Sequence, residues 1–114
     1  MRALEALLAR DLARADSLAS AGQPAKAAAI AEQALREGAG LRYDADVAGL
    51  ARAEWARGIR SRGAEDPEIS RLQALFDSLE AIAYAPPETR SADAKQAIRA
   101  VADTLRRYHE EMTP

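Results

Sequence analysis

DPEISRLQALFDSLEAIAYAPPETRSADAKQAIRAVADTLRRYHEEM, residues 66–112, carries the clearest structural grammar in the chain. Asp66 can accept a hydrogen bond from a first-turn amide, and Pro67 suits the first helical position, where its missing N–H is not needed. Ile69, Leu72, Leu75, Phe76, Leu79, Ile82 and Ala83 then recur at spacings of three and four, which predicts a helix with one apolar face. Pro86 and Pro87 cannot extend it, and Pro86 biases Ala85 out of the helical region, so the helix is expected to stop near Tyr84. Ser91 reads as the N-cap of a last helix carrying Ala94, Ile98, Val101, Leu105, Tyr108 and Met112, and the two helices should lie antiparallel. The ring of Tyr84 is expected to pack on the bundle end with its hydroxyl in water.

On the N-terminal side of this stretch, Val47, Leu50, Ala51, Trp55 and Ile59 predict a helix capped by Asp44 or Asp46 and closed by Gly63. Gly49 and Gly58 inside it cost roughly 1 kcal/mol each relative to alanine, so it is locally weak or packs closely on a neighbour. Nearer the N-terminus, Leu4, Leu7, Leu8, Leu12, Ala15, Leu18 and Ala19 form one side of a first helix ended by Gly22. Pro24 opens a second, with Ala27, Ile30, Ala31, Ala34 and Leu35 as its apolar strip and Gly38-Ala39-Gly40 as its stop. The expected fold class is all-α: one domain over 1–114, an irregular bundle of about five helices at about 2–21, 24–38, 45–62, 67–84 and 92–111.

The N-terminal pair is tetratricopeptide-like over residues 9–38: Gly22, then Ala27, Ala34 and Leu35, with Ala15 and Leu18 in the preceding helix. A second repeat 34 residues on, the period of that motif, places Ala56, Ser61 and Glu68 at the glycine and small-residue positions, so the period is not sustained.

Composition excludes several function classes. Sixteen basic and 18 acidic side chains, mixed along every segment to a net charge of −2, give no nucleic-acid footprint and no polybasic membrane patch. No apolar run approaches the roughly 20 residues that span a bilayer, so this segment is not expected to insert in one. There is no cysteine, hence no disulfide framework or thiolate chemistry. One histidine, His109, cannot build a two-histidine zinc site, and among Arg106, Arg107, Glu110 and Glu111 it reads as an exposed, non-catalytic side chain. Asp44/Asp46, Glu65/Asp66/Glu68 and Glu110/Glu111 lack an EF-hand pattern, and the first two groups suit helix capping. No nucleophile elbow surrounds any serine and no phosphate-binding loop is present, so no cofactor, metal or catalytic residue is predicted. Arg42, Tyr43 and Trp55, with Arg52 and Arg57 nearby, have the composition of a protein-binding hot spot, although Trp55 lies on the apolar stripe of its helix, which favours a core role.

The succession Leu50, Gly63, Leu72, Leu75, Leu79, Tyr84, Ala85, Pro86, Ala94, Ile98 and Leu105, preceded by the hairpin Leu12–Leu35 turned at Gly22, resembles the C-terminal helical region of BatD-type aerotolerance proteins. The resemblance implies a piece of a longer membrane-anchored bacterial protein with β-rich domains outside and this part on the cytoplasmic side of the inner membrane. It also implies a non-catalytic, protein-interaction role in aerotolerance or envelope stress, beside a MoxR-type ATPase or von Willebrand A-type partners. Competing expectations are a tetratricopeptide-like adaptor with a peptide in a helical groove, and a small all-α enzyme built around an unrecognised pocket.

Overall fold

The computed structural model describes residues 2–86 and 90–113. Helix α1 (Arg2–Ala6) passes through a π-helical turn (Leu7–Leu12) into α2 (Ala13–Ser20), and α3 (Pro24–Tyr43), α4 (Arg52–Ser61), α5 (Asp66–Tyr84) and α6 (Arg90–Met112) follow. The described residues contain no strand.

The first three segments form one rod. Its buried side chains are Leu4, Leu7, Leu12, Ala15 and Ala19. Leu12 follows Leu7 by five positions, a step that an unbroken α-helix carries off its inner face. The π turn widens the helix over that step and returns Leu12 to the core.

Helix α3 is the centre, packing on α2, α5 and above all α6. Its inward face is small: Ala27, Ala28, Ala31, Ala34, Gly38 and Ala39 are buried, with Leu35 as the large exception. Small side chains let helix axes approach toward the short end of the usual 8–10 Å. The expected stop at Gly38-Ala39-Gly40 is corrected, because α3 continues to Tyr43. These glycines serve close approach: a Cβ on Gly38 would collide with the Leu105 side chain of α6, and one on Gly40 would lie 2.8 Å from the Ala45 carbonyl oxygen. The actual stop is Asp44 in the left-handed region (φ 52°), after which the Ala45 amide donates to the Gly40 carbonyl at 2.9 Å. For Gly38→Ala we expect a net loss of about 1 kcal/mol, since overpacking on the buried Leu105 (about 1–3 kcal/mol) outweighs the gain of about 1 kcal/mol in helix propensity. Gly49→Ala, where an added Cβ meets nothing within 4 Å, should be neutral, and paired urea titrations of the two variants check the contrast.

The helix expected at about 45–62 is ten residues, Arg52–Ser61, after a loop. Asp44 and Asp46 therefore cap nothing at its start; the flanking residue is Ala51, with no side-chain capping bond. Arg36 of α3 holds the loop by donating from Nη1 to the Leu50 carbonyl at 2.7 Å. Val47 is buried, and a Cβ on Gly58 would run into it, so Gly58 is there for close packing while Gly49 lies outside the helix.

The N-caps expected at Asp66 and Ser91 are also corrected. Helix α5 begins with Asp66 itself, preceded by Glu65 in extended backbone, and Asp66 Oδ1 instead accepts from Arg60 Nε at 3.1 Å. Ser91 lies inside α6, which has already started at Arg90. Ala85 is extended (φ −77°, ψ 159°), as the residue before a proline should be, and Pro87 falls outside the described residues. Glycines with positive φ end the turns after α2 and α4, as expected for Gly22 (77°) and Gly63 (108°). Helices α5 and α6 run antiparallel, since Glu68 near the start of one meets Arg107 near the end of the other.

Candidate functional site

Arg42 and Tyr43 sit where α3 ends, and the fold brings α5 and α6 to the same corner. Arg42 Nε donates to Glu111 Oε2 at 2.8 Å, and its guanidinium lies over the Tyr43 ring at 4.9 Å. Tyr43 meets Tyr108 edge-on, with centroids 6.2 Å apart. Glu111 also accepts from Arg107 Nη1 at 3.2 Å, and Arg107 Nη2 reaches Glu68 Oε2 at 2.8 Å.

Glu68 is the hub. Its Oε1 accepts from Arg71 Nε at 3.0 Å, its Oε2 from Arg71 Nη2 at 2.7 Å, and Oε2 also accepts from the Tyr108 hydroxyl. Arg71 Nη1 donates onward to Thr104 Oγ1 at 3.1 Å, and Thr104 returns its proton to the Ala100 carbonyl at 3.0 Å. Burial, then the bond to Glu68, pushes the Tyr108 phenol well above its ordinary range; burial, then the charge of Glu68, raises that of Tyr43. The bond to Glu111 raises Arg42.

A hollow of about 260 Å³ opens beside these groups, lined by Arg42, Tyr43, Glu65, Glu68, Arg107 and Glu111 together with Gly63. Arg42, Arg107, Glu68 and Glu111 in its wall pair with one another, so these four groups act as a clasp joining three helix ends. A raised phenol stays protonated in the folded chain after its unfolded counterpart ionises above about pH 10, so the folded state binds the extra proton there. Stability should therefore be flat below that pH and fall by about 1.4 kcal/mol per pH unit above it for Tyr108. Tyr108→Phe should reduce the slope in urea titrations carried from pH 8 to 11, leaving the part that Tyr43 contributes.

No pattern in the sequence marks this clasp. Glu68/Arg71 and Arg107/Glu111 have the spacing of neighbours on a helix, but the bonds from Glu68 to Arg107 and Tyr108 join residues 39 and 40 apart, for which no local signal exists.

Trp55 does not join Arg42 and Tyr43 on a surface. It is fully buried, edge-on to Phe76 with centroids 4.9 Å apart, in agreement with the core reading of its stripe. Arg36 and Arg52 place their guanidiniums 5.3 and 5.4 Å from the Phe76 ring centroid. Trp55 Nε1 and Arg52 Nε are buried without a hydrogen-bond partner among the described residues. His109 is partly exposed, its Nε2 3.2 Å from Glu5 Oε1. Among the described residues no group of three histidine, aspartate or glutamate side chains is placed to hold a metal ion, and no helix is long and apolar enough to cross a membrane.

The expectation for Tyr84 is overturned: its ring is not packed but 89% exposed. It stands at the end of a shallow groove of about 360 Å³ between the first half of α3 and the second half of α5. A larger open groove of about 730 Å³ lies between α1 and the loop after α3, with Arg10, Glu37, Asp44, Asp46 and Arg62 among its lining residues. No protein family, curated protein or solved structure matches this chain.

Proposed function

We propose that the chain is a non-catalytic protein-interaction domain. Tyr84 carries this reading: a large aromatic left 89% exposed beside an alanine-lined groove, of the residue type that anchors protein interfaces. The polar groups at the Glu68 corner support it from the other side, since they are consumed in holding helices together. With the resemblance to BatD-type proteins, the partner is a MoxR-type ATPase or a von Willebrand A-type protein, met on the cytoplasmic side of the bacterial inner membrane. Calorimetric titration of the purified chain with such proteins from the same genome should give a micromolar Kd, weakened at least about tenfold by Tyr84→Ala. Absence of binding to either, with the chain folded, contradicts the partner assignment.

The hairpin of α2 and α3, turned at Gly22, favours a tetratricopeptide-like adaptor as the second reading. A peptide whose amide shift changes map to α2 and the facing side of α3, and not to α5, would establish it.

A further inference from the structure

We infer that the groove between α3 and α5 seats an amphipathic helix of a protein partner whose contact face carries small apolar residues flanked by lysine or arginine. This rests on the interaction-domain reading and specifies its partner. The groove is lined by Ala25, Ala28 and Ala29 of α3 and by Leu79 and Ala83 of α5; Ala28 and Leu79 are buried, and Ala25, Ala29 and Ala83 present their methyls to solvent at helical spacing. Methyl-lined walls of two packed helices leave a shallow trough into which the ridge of a third helix can settle. The described residues offer no strand edge to an extended peptide.

Charge sets the chemistry of the occupant. Glu32 and Glu80 stand on opposite walls, and among the described residues no lysine or arginine lines the groove. Their nearest cations are loosely engaged: Arg36 Nε is 3.5 Å from Glu32 and Arg52 Nη1 is 3.8 Å from Glu80. Both guanidiniums make shorter bonds elsewhere, Arg36 to the Leu50 carbonyl at 2.7 Å and Arg52 to Asp77 at 2.7 Å. The two carboxylates thus retain attraction for an incoming cation, and an acidic rim disfavours a bilayer surface, which is itself anionic. Tyr84 closes the end of the groove as an aromatic anchor.

The test titrates the ¹⁵N-labelled full chain with an amphipathic peptide of about 20 residues, alanine and leucine on one face and lysine on its flanks, against the same peptide carrying glutamate for lysine. Amide shifts confined to 25–32 and 79–84, a Kd of about 10–100 μM and at least tenfold preference for the lysine form are expected. The double variant Glu32→Gln/Glu80→Gln should abolish that preference and Tyr84→Ala should weaken binding about tenfold, with circular dichroism unchanged because these side chains are at the surface. Equal binding of both peptides, or shifts elsewhere, overturns the inference. So does concentration-dependent self-association in sedimentation that the same variants abolish, with the Lys95, Arg99 and Arg106 row of α6 as the counterpart surface. If a MoxR-type or von Willebrand A-type protein binds with affinity unchanged in these variants, the groove assignment fails and the interaction-domain reading stands. If neither protein binds while the lysine peptide fills the groove, the named partners fail and the groove stands.

Discussion

Trp55→Ala is expected to lower the unfolding free energy by about 3–5 kcal/mol, the usual cost of emptying a buried tryptophan site. That is a large part of the 5–15 kcal/mol typical of a single domain. The reason lies in α4, which is ten residues long and buries only Trp55, Ala56 and Ile59. A helix this short is marginal alone in water and depends on its docked face. Removing the indole leaves Phe76 without its edge-on partner and α4 with one large anchor, Ile59. Urea titration should show a lower midpoint and a smaller m-value, because part of the surface is already exposed before the main transition. Trp55→Phe separates packing from polarity. It keeps an aromatic against Phe76 and removes the Nε1 that has no partner, so a loss of about 1 kcal/mol is expected. Equal losses in the two variants would show that packing on Phe76 is not what holds α4.

Glu68→Ala should cost about 2–3 kcal/mol, and the ion pairs are the smaller part of it. The side chains of Arg71 and Arg107 are 42% and 43% exposed, so water replaces much of what they lose. Tyr108 has no such recourse, being fully buried, and its hydroxyl forfeits the carboxylate that accepts it. An orphaned buried donor costs about 1–3 kcal/mol. Combining Glu68→Ala with Tyr108→Phe removes the orphan, so the double variant should be less destabilised than the sum of the singles by about 1–2 kcal/mol. Additivity within 0.5 kcal/mol would mean the hydroxyl is served by another group.

The parts of this fold that were legible are those in which large side chains repeat. Ile69, Leu72, Phe76 and Leu79 on α5 and Ile98, Val101, Leu105 and Tyr108 on α6 are buried as their spacing requires. Small residues misled. Gly38 and Gly40 read locally as a helix stop, and only the position of Leu105, 67 residues beyond Gly38, and of the Ala45 carbonyl shows that they are points of contact. Val47 and Leu50 share a helical spacing with Trp55 and Ile59, but the bond from Arg36 to the Leu50 carbonyl fixes that backbone as a loop, and a bond from 14 residues away leaves no periodic trace. On the candidate surface, Arg42 and Tyr43 are neighbours in the chain and stay together at the end of α3, whereas Trp55 is spent in the core and Tyr84, expected to pack, faces solvent. An aromatic next to a proline break has no local feature that tells a packed ring from a bare one.

Helix α3 is the element around which the others close, its buried face knitting α2, α5 and α6 together while Ala29 is left exposed and Ala25 half-buried beside the groove. Native-state hydrogen exchange measures this directly. The amides of residues 31–40 and of 98–105 on α6 should be the slowest in the protein and should exchange only through global unfolding, while those of α4 open at lower free energy. Amides of 31–40 exchanging as fast as those of 52–61, while α5 and α6 stay protected, would contradict it.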